Sequence, residues 1–413
     1  MLHSTGFITK LLPKDTPSGW VPEKELYAIG GAPSGDRMSW FNWTVISAGF
    51  TGLVAARSLA ELNPSNGIAL IDARPIGWAA SGRNSEFTID VQHKFDLESN
   101  DPEPQPSIMT LNATAVGDLK SHVNKFDSDC EWSQAGKLQG SVAKRSTEKV
   151  RAFTEAMDRI DRACTILDRD ELAAVTGNSY YSGIVHTLGC MLINPVKLVH
   201  ELAQNTPENV TILDSCHVAR FAREGRTYGI ILRSQGCLIA ISKAKALLCT
   251  NSLTPEFGYL RNCIVPVMRF AWMTGPLKED KLEAYGGQLD WGLTPTGSGG
   301  KTLPMMLDRR LLVRNQYDFP GRFGASDNNL DRVRSEHNIS FNAHYPKQRM
   351  CHWLVRGVVY VACRAIMSAI SVGWTKMYRT RPAIPVLKWH AVVSRGVCCR
   401  KRRLANALVD WNR

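Results

Sequence analysis

The segment at residues 44–52, Thr-Val-Ile-Ser-Ala-Gly-Phe-Thr-Gly, is the feature that most constrains how this chain folds. Its pattern predicts a buried strand, a tight turn that contains glycine, and a helix that starts at Phe50. Residues 67–74 then predict a second buried strand, which ends at the acid Asp72. A strand, a glycine turn, a helix and a strand that ends in an acid are typical of the βαβ unit of a dinucleotide site.

The residues of this unit suit the parts of a dinucleotide. Gly49 and Gly52 let the backbone approach a pyrophosphate, and the first N–H groups of the helix, at Phe50 and Thr51, point towards that anion. Asp72 would accept hydrogen bonds from the ribose. An ordinary strand-to-helix turn is the alternative interpretation, because a lone glycine pattern is a weak signal.

The segment that follows resembles a known family. Residues 77–90, Gly-Trp-Ala-Ala-Ser-Gly-Arg-Asn-Ser-Glu-Phe-Thr-Ile-Asp, resemble the Gly-Trp-x-Ala-Ser-Gly-Arg-Asn-x-Gly segment of the FAD-dependent D-amino-acid oxidase and glycine oxidase superfamily. The most similar group is the gamma-glutamylputrescine oxidoreductase type. Residues 168–172, 194–198, 249–258 and 311–315 also resemble the family, and the resemblance extends from about residue 42 to about residue 346.

The resemblance implies an α/β protein with two domains. A Rossmann-like βαβ domain would bind FAD, and an α+β domain with an antiparallel sheet would bind a small amine or amino-acid substrate. A hydride would pass from the substrate carbon beside nitrogen to flavin N5, so that a C–N bond is oxidised. The implied cofactor-binding residues are Ser47, Gly49, Phe50, Thr51, Gly52, Asp72, Ala73, Arg74, Trp78, Ser81, Arg83, Asn84, Val218, Thr250 and Asn251.

The resemblance assigns no catalytic residue. Arg314 either pairs with a substrate carboxylate or forms a surface ion pair. Ser47 and Glu86 stand where the family has glycine, and each differs from glycine by one base change, which suits a decaying gene. A nonfunctional remnant of such an enzyme, or a binding protein with a basic tail, is therefore the alternative function.

The expected domains are discontinuous in the chain. Residues 1–41 would be a loose leader, 42–100 and 193–255 the FAD-binding domain, 101–192 and 256–345 the substrate domain, and 346–413 an aberrant, poorly packed basic tail. Within them, apolar spacing predicts helices at 147–165, from Pro195, and at about 326–343. Short strands are expected at 210–213, 229–233, 237–241 and 246–249.

Charge and cysteine content exclude several classes of protein. The net charge is +12, but the residues from Tyr345 onward carry 14 Lys and Arg against one acid, so the rest of the chain is nearly neutral. We therefore expect no nucleic-acid partner, and no segment is apolar enough to predict a membrane helix. The 11 cysteines and the histidines show no metal-ligand spacing, which predicts reduced thiols in a cytoplasmic protein without a metal.

In residues 346–413, the apolar residues follow neither the helical nor the strand spacing of an amphipathic element. The basic run Arg400-Lys401-Arg402-Arg403 lies near the end of this tail. The family has a strand and a glycine turn here that closes the flavin site. Codons allowed for residues 374–390, read from each third base, permit Asp-Lys-Asn-Val-Ser-Tyr-Ala-Ala-Gly-Tyr-Thr-Gly-Thr-Glu-Val-Ala, which resembles that strand and turn. The sequence therefore favours a frameshift near Pro346 over an unusual native tail.

Overall fold

The computed structural model describes residues 6–7, 18–22, 25–26, 29–30, 35–85, 87–91, 106–142, 144–181, 183–261, 264–295, 301–318, 327–346 and 353–363. Its helices are α1 (Phe50–Leu62), α2 (Pro106–Lys125), α3 (Lys144–Asp158), α4 (Arg169–Thr176), α5 (Pro195–Gln204), α6 (Glu279–Tyr285) and α7 (Asp327–His344). Its strands are β1 (Gly6–Phe7), β2 (Arg37–Trp40), β3 (Trp43–Ile46), β4 (Ile68–Ile71), β5 (Phe87–Thr88), β6 (Lys137–Ser141), β7 (Cys164–Leu167), β8 (Gly183–Thr187), β9 (Met191–Leu192), β10 (Val210–Leu213), β11 (His217–Glu224), β12 (Thr227–Ser234), β13 (Cys237–Leu248), β14 (Val265–Thr274), β15 (Trp291–Pro295), β16 (Leu303–Met305), β17 (Leu312–Asp318) and β18 (Trp353–Cys363).

The largest sheet has the order β1-β11-β12-β13-β3-β4-β10, with β2 paired to the first half of β13. β13, β3, β4 and β10 are mutually parallel, whereas β11, β12 and β13 form an antiparallel meander. All four residues of β4 are buried, as is typical of a parallel strand covered on both faces. One face packs on α1 and α5, so the predicted α/β fold with a βαβ unit is confirmed.

Two further sheets are mainly antiparallel. One has the order β17-β14-β18, and the other has the order β16-β15-β6-β8-β7, in which only the β15–β6 pair is parallel among the described pairings. The two faces of the β17-β14-β18 sheet pack against different parts of the protein. Met273 and Leu312 pack beside Trp78 on one face, whereas Val313 packs in the core with Phe341 of α7 on the other.

The first 41 residues are not a loose leader where the structure describes them. Trp20 is 3% exposed and Leu26 is 8% exposed, and both lie in a core cluster with Trp78. The backbone N–H groups of Ile29 and Gly30 donate to the buried carboxylate of Asp214, with N···O distances of 3.0 and 3.3 Å. The leader prediction was wrong for these residues because isolated apolar side chains show no period that a sequence pattern can detect.

The predicted tail contains a described strand. β18 pairs antiparallel with β14 from Val265↔Cys363 to Thr274↔Trp353, so it covers one edge of that strand. The rest of the predicted tail, residues 347–352 and 364–413, lies outside the described residues, as do Glu86, His93 and His352.

Candidate functional site

In the turn between β3 and α1, the backbone of Gly52 lies very close to the backbone of Ser47. Ser47 follows β3 with a φ of 86°, and Gly49 caps α1 in an extended conformation without a side-chain cap. A Cβ atom on Gly52 would lie 1.8 Å from the carbonyl oxygen of Ser47, so only glycine fits there. Helix α1 begins at Phe50, and Thr51 and Gly52 lie in its first turn, as predicted from the sequence. The positive end of the helix dipole therefore lies at this turn.

Asp72 lies at the carboxyl end of β4, beside the same turn. Its carboxylate accepts hydrogen bonds from the N–H groups of Ala48 (2.8 Å) and Arg74 (3.0 Å), and from Ser47 Oγ at 3.4 Å. Burial raises the pKa of the Asp72 carboxyl, the two N–H groups oppose that rise, and nearby Asp214 adds to it. The acid thus faces the turn, with Ser47 already bonded to one of its oxygens.

Residues 77–85, named here the Gly-Arg-Asn loop, are hydrogen-bonded to the start of α1. The N–H of Phe50 donates to Ser81 Oγ (3.0 Å), and Ser81 lies in a 3-10 helix at Ala80–Arg83. Arg83 is 8% exposed, its Nε donates to Trp78 O at 2.6 Å, and its guanidinium lies 4.8 Å from the Trp78 ring centroid. Burial lowers the pKa of Arg83 to about 10, so it is still a cation at neutral pH.

The other predicted residues lie around the same edge of the parallel strands. Asn84 Nδ2 donates to Ser81 O (2.7 Å) and so belongs to the Gly-Arg-Asn loop. The N–H of Cys249 donates to Ile46 O (2.9 Å), which brings Thr250 and Asn251 to the end of β3. In open α/β sheets the carboxyl ends of the strands are where ligands bind.

Three predicted residues lie further from the turn itself. Ala73 and Arg74 form the turn that follows Asp72, and the Arg74 carbonyl accepts the N–H of Ser215 at 3.4 Å. Val218 lies in β11 and is 4% exposed in the core that includes Ile71. Its side chain therefore supports the sheet, and only its backbone is suited to contact a ligand.

Sequence reasoning missed Asp214. It is fully buried, follows β10 as Asp72 follows β4, and binds the N–H groups of Ile29 and Gly30. An acid directly after a short apolar strand was the signal that could have identified it. The other missed residues, Ser18 and Trp20, carried no local signal.

Arg314 Nη2 donates to Thr302 Oγ1 at 3.2 Å. Within the described residues, no group of three or more His, Cys, Asp or Glu side chains could hold a metal ion. No helix in the described part of the chain is long and apolar enough to cross a membrane.

The site fits a dinucleotide cofactor in most respects. The glycine turn allows close backbone approach, and the N-terminus of α1 and the Asp72 carboxylate both lie beside it. The departure is Ser47, whose side chain stands at the first glycine position of the pattern.

Comparisons with solved structures agree with this fold. Glycine oxidase from Geobacillus kaustophilus superposes with a TM-score of 0.61 at 12% identity, covering 78% of this chain and 83% of that one. Iminodiacetate oxidase from Chelativorans sp. gives 0.61 at 14%, with 80% and 85% covered. L-alpha-glycerophosphate oxidase from Mycoplasma pneumoniae, with FAD bound, gives 0.58 at 13%, with 78% and 83% covered. At these identities the likeness supports the fold alone.

A comparison of the sequence with curated proteins gave no match. The model of the family described as DAO, FAD dependent oxidoreductase, matches residues 42–389, which is most of the chain and extends past the resemblance seen in the sequence. The chain belongs to this family of FAD-dependent oxidoreductases.

Proposed function

We propose that the protein oxidises the C–N bond of a small amine or amino acid, with the hydride passing to flavin N5. The proposal is supported above all by three features that lie together at one edge of the sheet: the N-terminus of α1, Asp72, and the Gly-Arg-Asn loop, whose Ser81 is hydrogen-bonded to α1. When bound, FAD supplies the hydride acceptor, and the protein supplies orientation and exclusion of water.

Within this proposal, each part of the edge has a role. The α1 N-terminus, from Gly49 to Gly52, would bind the pyrophosphate, and Asp72 would accept the ribose hydroxyls. The loop containing Trp78, Arg83 and Asn84 would lie against the flavin, and the Val218 backbone would contact the adenine. Ala73, Arg74, Thr250 and Asn251 would border the same site.

The substrate side is proposed from the two faces of the β17-β14-β18 sheet. Side chains alternate along a strand, so Arg314 shares the face of Leu312, and Arg269 shares the face of Met273. Leu312 and Met273 pack beside Trp78 of the Gly-Arg-Asn loop. Two cations on the face that meets this loop favour a substrate with a carboxylate, which bidentate guanidinium groups bind well.

We also propose the discontinuous domain division, with 42–100 and 193–255 as the FAD-binding domain and 101–192 and 256–345 as the substrate domain. Its support is that the largest sheet draws β3, β4 and β10–β13 from the first two ranges. A cytoplasmic location is proposed because six cysteines of the chain are free thiols: Cys130, Cys164, Cys190, Cys216, Cys237 and Cys249.

More narrowly, we propose the gamma-glutamylputrescine oxidoreductase group and a frameshift near Pro346. The support is the Gly-Arg-Asn segment and the alternative reading of residues 374–390. Two findings oppose the frameshift: the family match extends to residue 389, and β18 pairs with β14. The positive φ of Ser47 and the tail together favour, as the second candidate, a remnant that keeps the fold but has lost activity.

The test is a titration of the purified chain with FAD, followed by an assay with a panel of amines and amino acids with and without a carboxylate. Flavin binding that Asp72→Asn weakens about tenfold or more supports the cofactor site, since one charge-assisted hydrogen-bond acceptor is lost. Oxidation of carboxylate-bearing amines only, abolished by Arg314→Gln, supports the substrate class. Tight flavin binding without turnover of any amine identifies the remnant, and no flavin binding contradicts the proposal.

A further inference from the structure

Two buried side chains near the N-terminus bind the Gly-Arg-Asn loop on either side of Arg83. Ser18 Oγ donates to Gly82 O at 2.7 Å, and Trp20 Nε1 donates to Asn84 O at 3.1 Å. Ser18 is 7% exposed and Trp20 is 3% exposed, so neither bond competes with bulk water. The carbonyls that precede and follow Arg83 are thus both fixed by the N-terminal segment.

The same segment is held from its other side by the rest of the protein. Arg310, in the turn between β16 and β17, donates from its guanidinium to Gly19 O and to Trp20 O, the second at 3.3 Å. Asn194, which caps α5, donates from Nδ2 to Trp20 O at 3.5 Å. The segment therefore connects the loop to the turn between β16 and β17 and to α5.

The Trp20 ring completes this connection by packing. It lies in a core cluster with Trp78 and Val196 and with Met273 and Leu312, which come from β14 and β17. Trp78 is also the residue whose ring and carbonyl hold the Arg83 guanidinium. Ser18 and Trp20 therefore hold the backbone of the two residues that flank Arg83, and Trp78, a neighbour of Trp20, holds the Arg83 side chain.

We propose that residues 18–20 form a strap, named here the N-terminal strap, that positions Arg83 in the flavin site and couples it to the substrate-side sheet. Ser18 and Trp20 are its positioning residues, and neither is proposed to touch the reacting atoms. The effect on flavin rests on the proposed function, whereas the effect on the loop itself does not.

The experiment compares Ser18→Ala and Trp20→Phe with wild type, each in the full chain. Both substitutions remove one donor and leave an apolar side chain of similar or smaller size. Amide hydrogen exchange of residues 77–85, measured without flavin, is expected to rise about five- to tenfold in each variant, as for the loss of one buried hydrogen bond. FAD affinity is expected to fall by a similar factor, with a changed shape of the bound flavin absorption bands.

Trp291→Phe is the matched control. Trp291 is also 3% exposed, and its Nε1 donates to Tyr285 OH at 2.7 Å in the substrate-side core, away from the loop. This variant is expected to lose stability but to leave the exchange of residues 77–85 unchanged. The strap is contradicted if the loop exchanges as in wild type in Ser18→Ala and Trp20→Phe, or if Trp291→Phe raises the loop exchange equally. A wild-type chain that binds no FAD contradicts the proposed function instead, and the exchange data still decide the strap.

Discussion

Ser47 combines a conformational cost with a favourable contact. Its φ of 86° lies in the region that glycine adopts freely and that a Cβ atom disfavours. Its hydroxyl donates to Asp72 Oδ2 at 3.4 Å, on the same oxygen that binds the Ala48 N–H. The residue thus strains the turn and also occupies part of the acid that would serve a ribose.

We expect Ser47→Gly to raise the free energy of unfolding of the flavin-free chain by about 1 kcal/mol, because the positive φ no longer carries a steric cost. Urea denaturation measures the change. Ser47→Ala is the control, since it keeps the Cβ atom and removes only the hydroxyl, and it is expected to give no gain. An equal gain from alanine would show that the hydroxyl, and not the backbone, is responsible.

At this scale the sequence predicted the residues that follow local patterns. Ser47, Gly52 and Asp72 were identified because a βαβ unit places them at fixed intervals along the chain. Trp20 and Asp214 were missed because their roles depend on contacts between distant segments. The bonds of Asp214 to Ile29 and Gly30, for example, join residues more than 180 positions apart.

The helical spacing of apolar residues continues past the C-terminal end of helix α3. A helix was expected at 147–165, but α3 ends at Asp158 and Cys164 begins β7. Asp161 has a φ of 54°, which ends helical geometry. Ile160 and Cys164 still pack on the same core cluster as Met157, so the apolar spacing continued although the helix did not. The helix expected at 326–343 agrees closely with α7.

Helix α7 has two buried histidines on its inner side. His337 is fully buried, neither of its ring nitrogens has a hydrogen-bond partner among the described residues, and it lies edge-on to Trp272. Burial lowers its pKa to about 3, and nearby Lys301 adds to the effect. Burial also lowers the pKa of His344 to about 4, against a hydrogen bond to Ser340 O that opposes the shift. Both side chains are therefore neutral in the folded protein at neutral pH.

These histidines predict acid destabilisation. Their pKa values in the folded protein lie below the unfolded value of 6.5, so the stability they confer is complete above pH 6.5 and falls as the pH decreases towards 4 and 3. We expect His337→Leu to lose less stability between pH 7.5 and 5.5 than wild type. Urea denaturation midpoints of the variant and the wild type at the two pH values measure this. At pH 7.5 the histidine is neutral, so a difference between the two proteins at that pH reports the change in packing alone. An identical pH dependence in the variant would contradict the role of His337.

At the scale of the whole molecule, the order of strands in the sheets could be predicted only in part. The sequence indicated that the chain returns to the first sheet at 210–250, and β10–β13 do join β3 and β4 there. It did not indicate that β2 pairs with β13, or that Ser18 and Trp20 bind the Gly-Arg-Asn loop while Trp20 packs beside β14 and β17. Such pairings are fixed by long-range packing, which leaves no periodic signal in a short segment.

The two explanations of the segment after Pro346 predict opposite results for its removal. β14 pairs with β17 on one edge and with β18 on the other, so a native tail would protect a strand edge. Truncation after Pro346 would then lower the melting temperature by several degrees, as expected for the loss of a long strand pairing. If the segment is out of frame, its residues were never selected to pack, and we expect truncation to cost little.

The frameshift explanation also predicts a gain of function. Inserting one base within the codons for residues 345–351 would make the ribosome read the frame that permits the glycine turn, and we expect FAD affinity to rise at least tenfold. A flavin titration of the restored, truncated and original chains, together with their melting temperatures, distinguishes the two explanations. A restored chain that binds FAD no better, beside a truncated chain that melts well below the original, would show that the tail is native and that β18 is part of the selected fold.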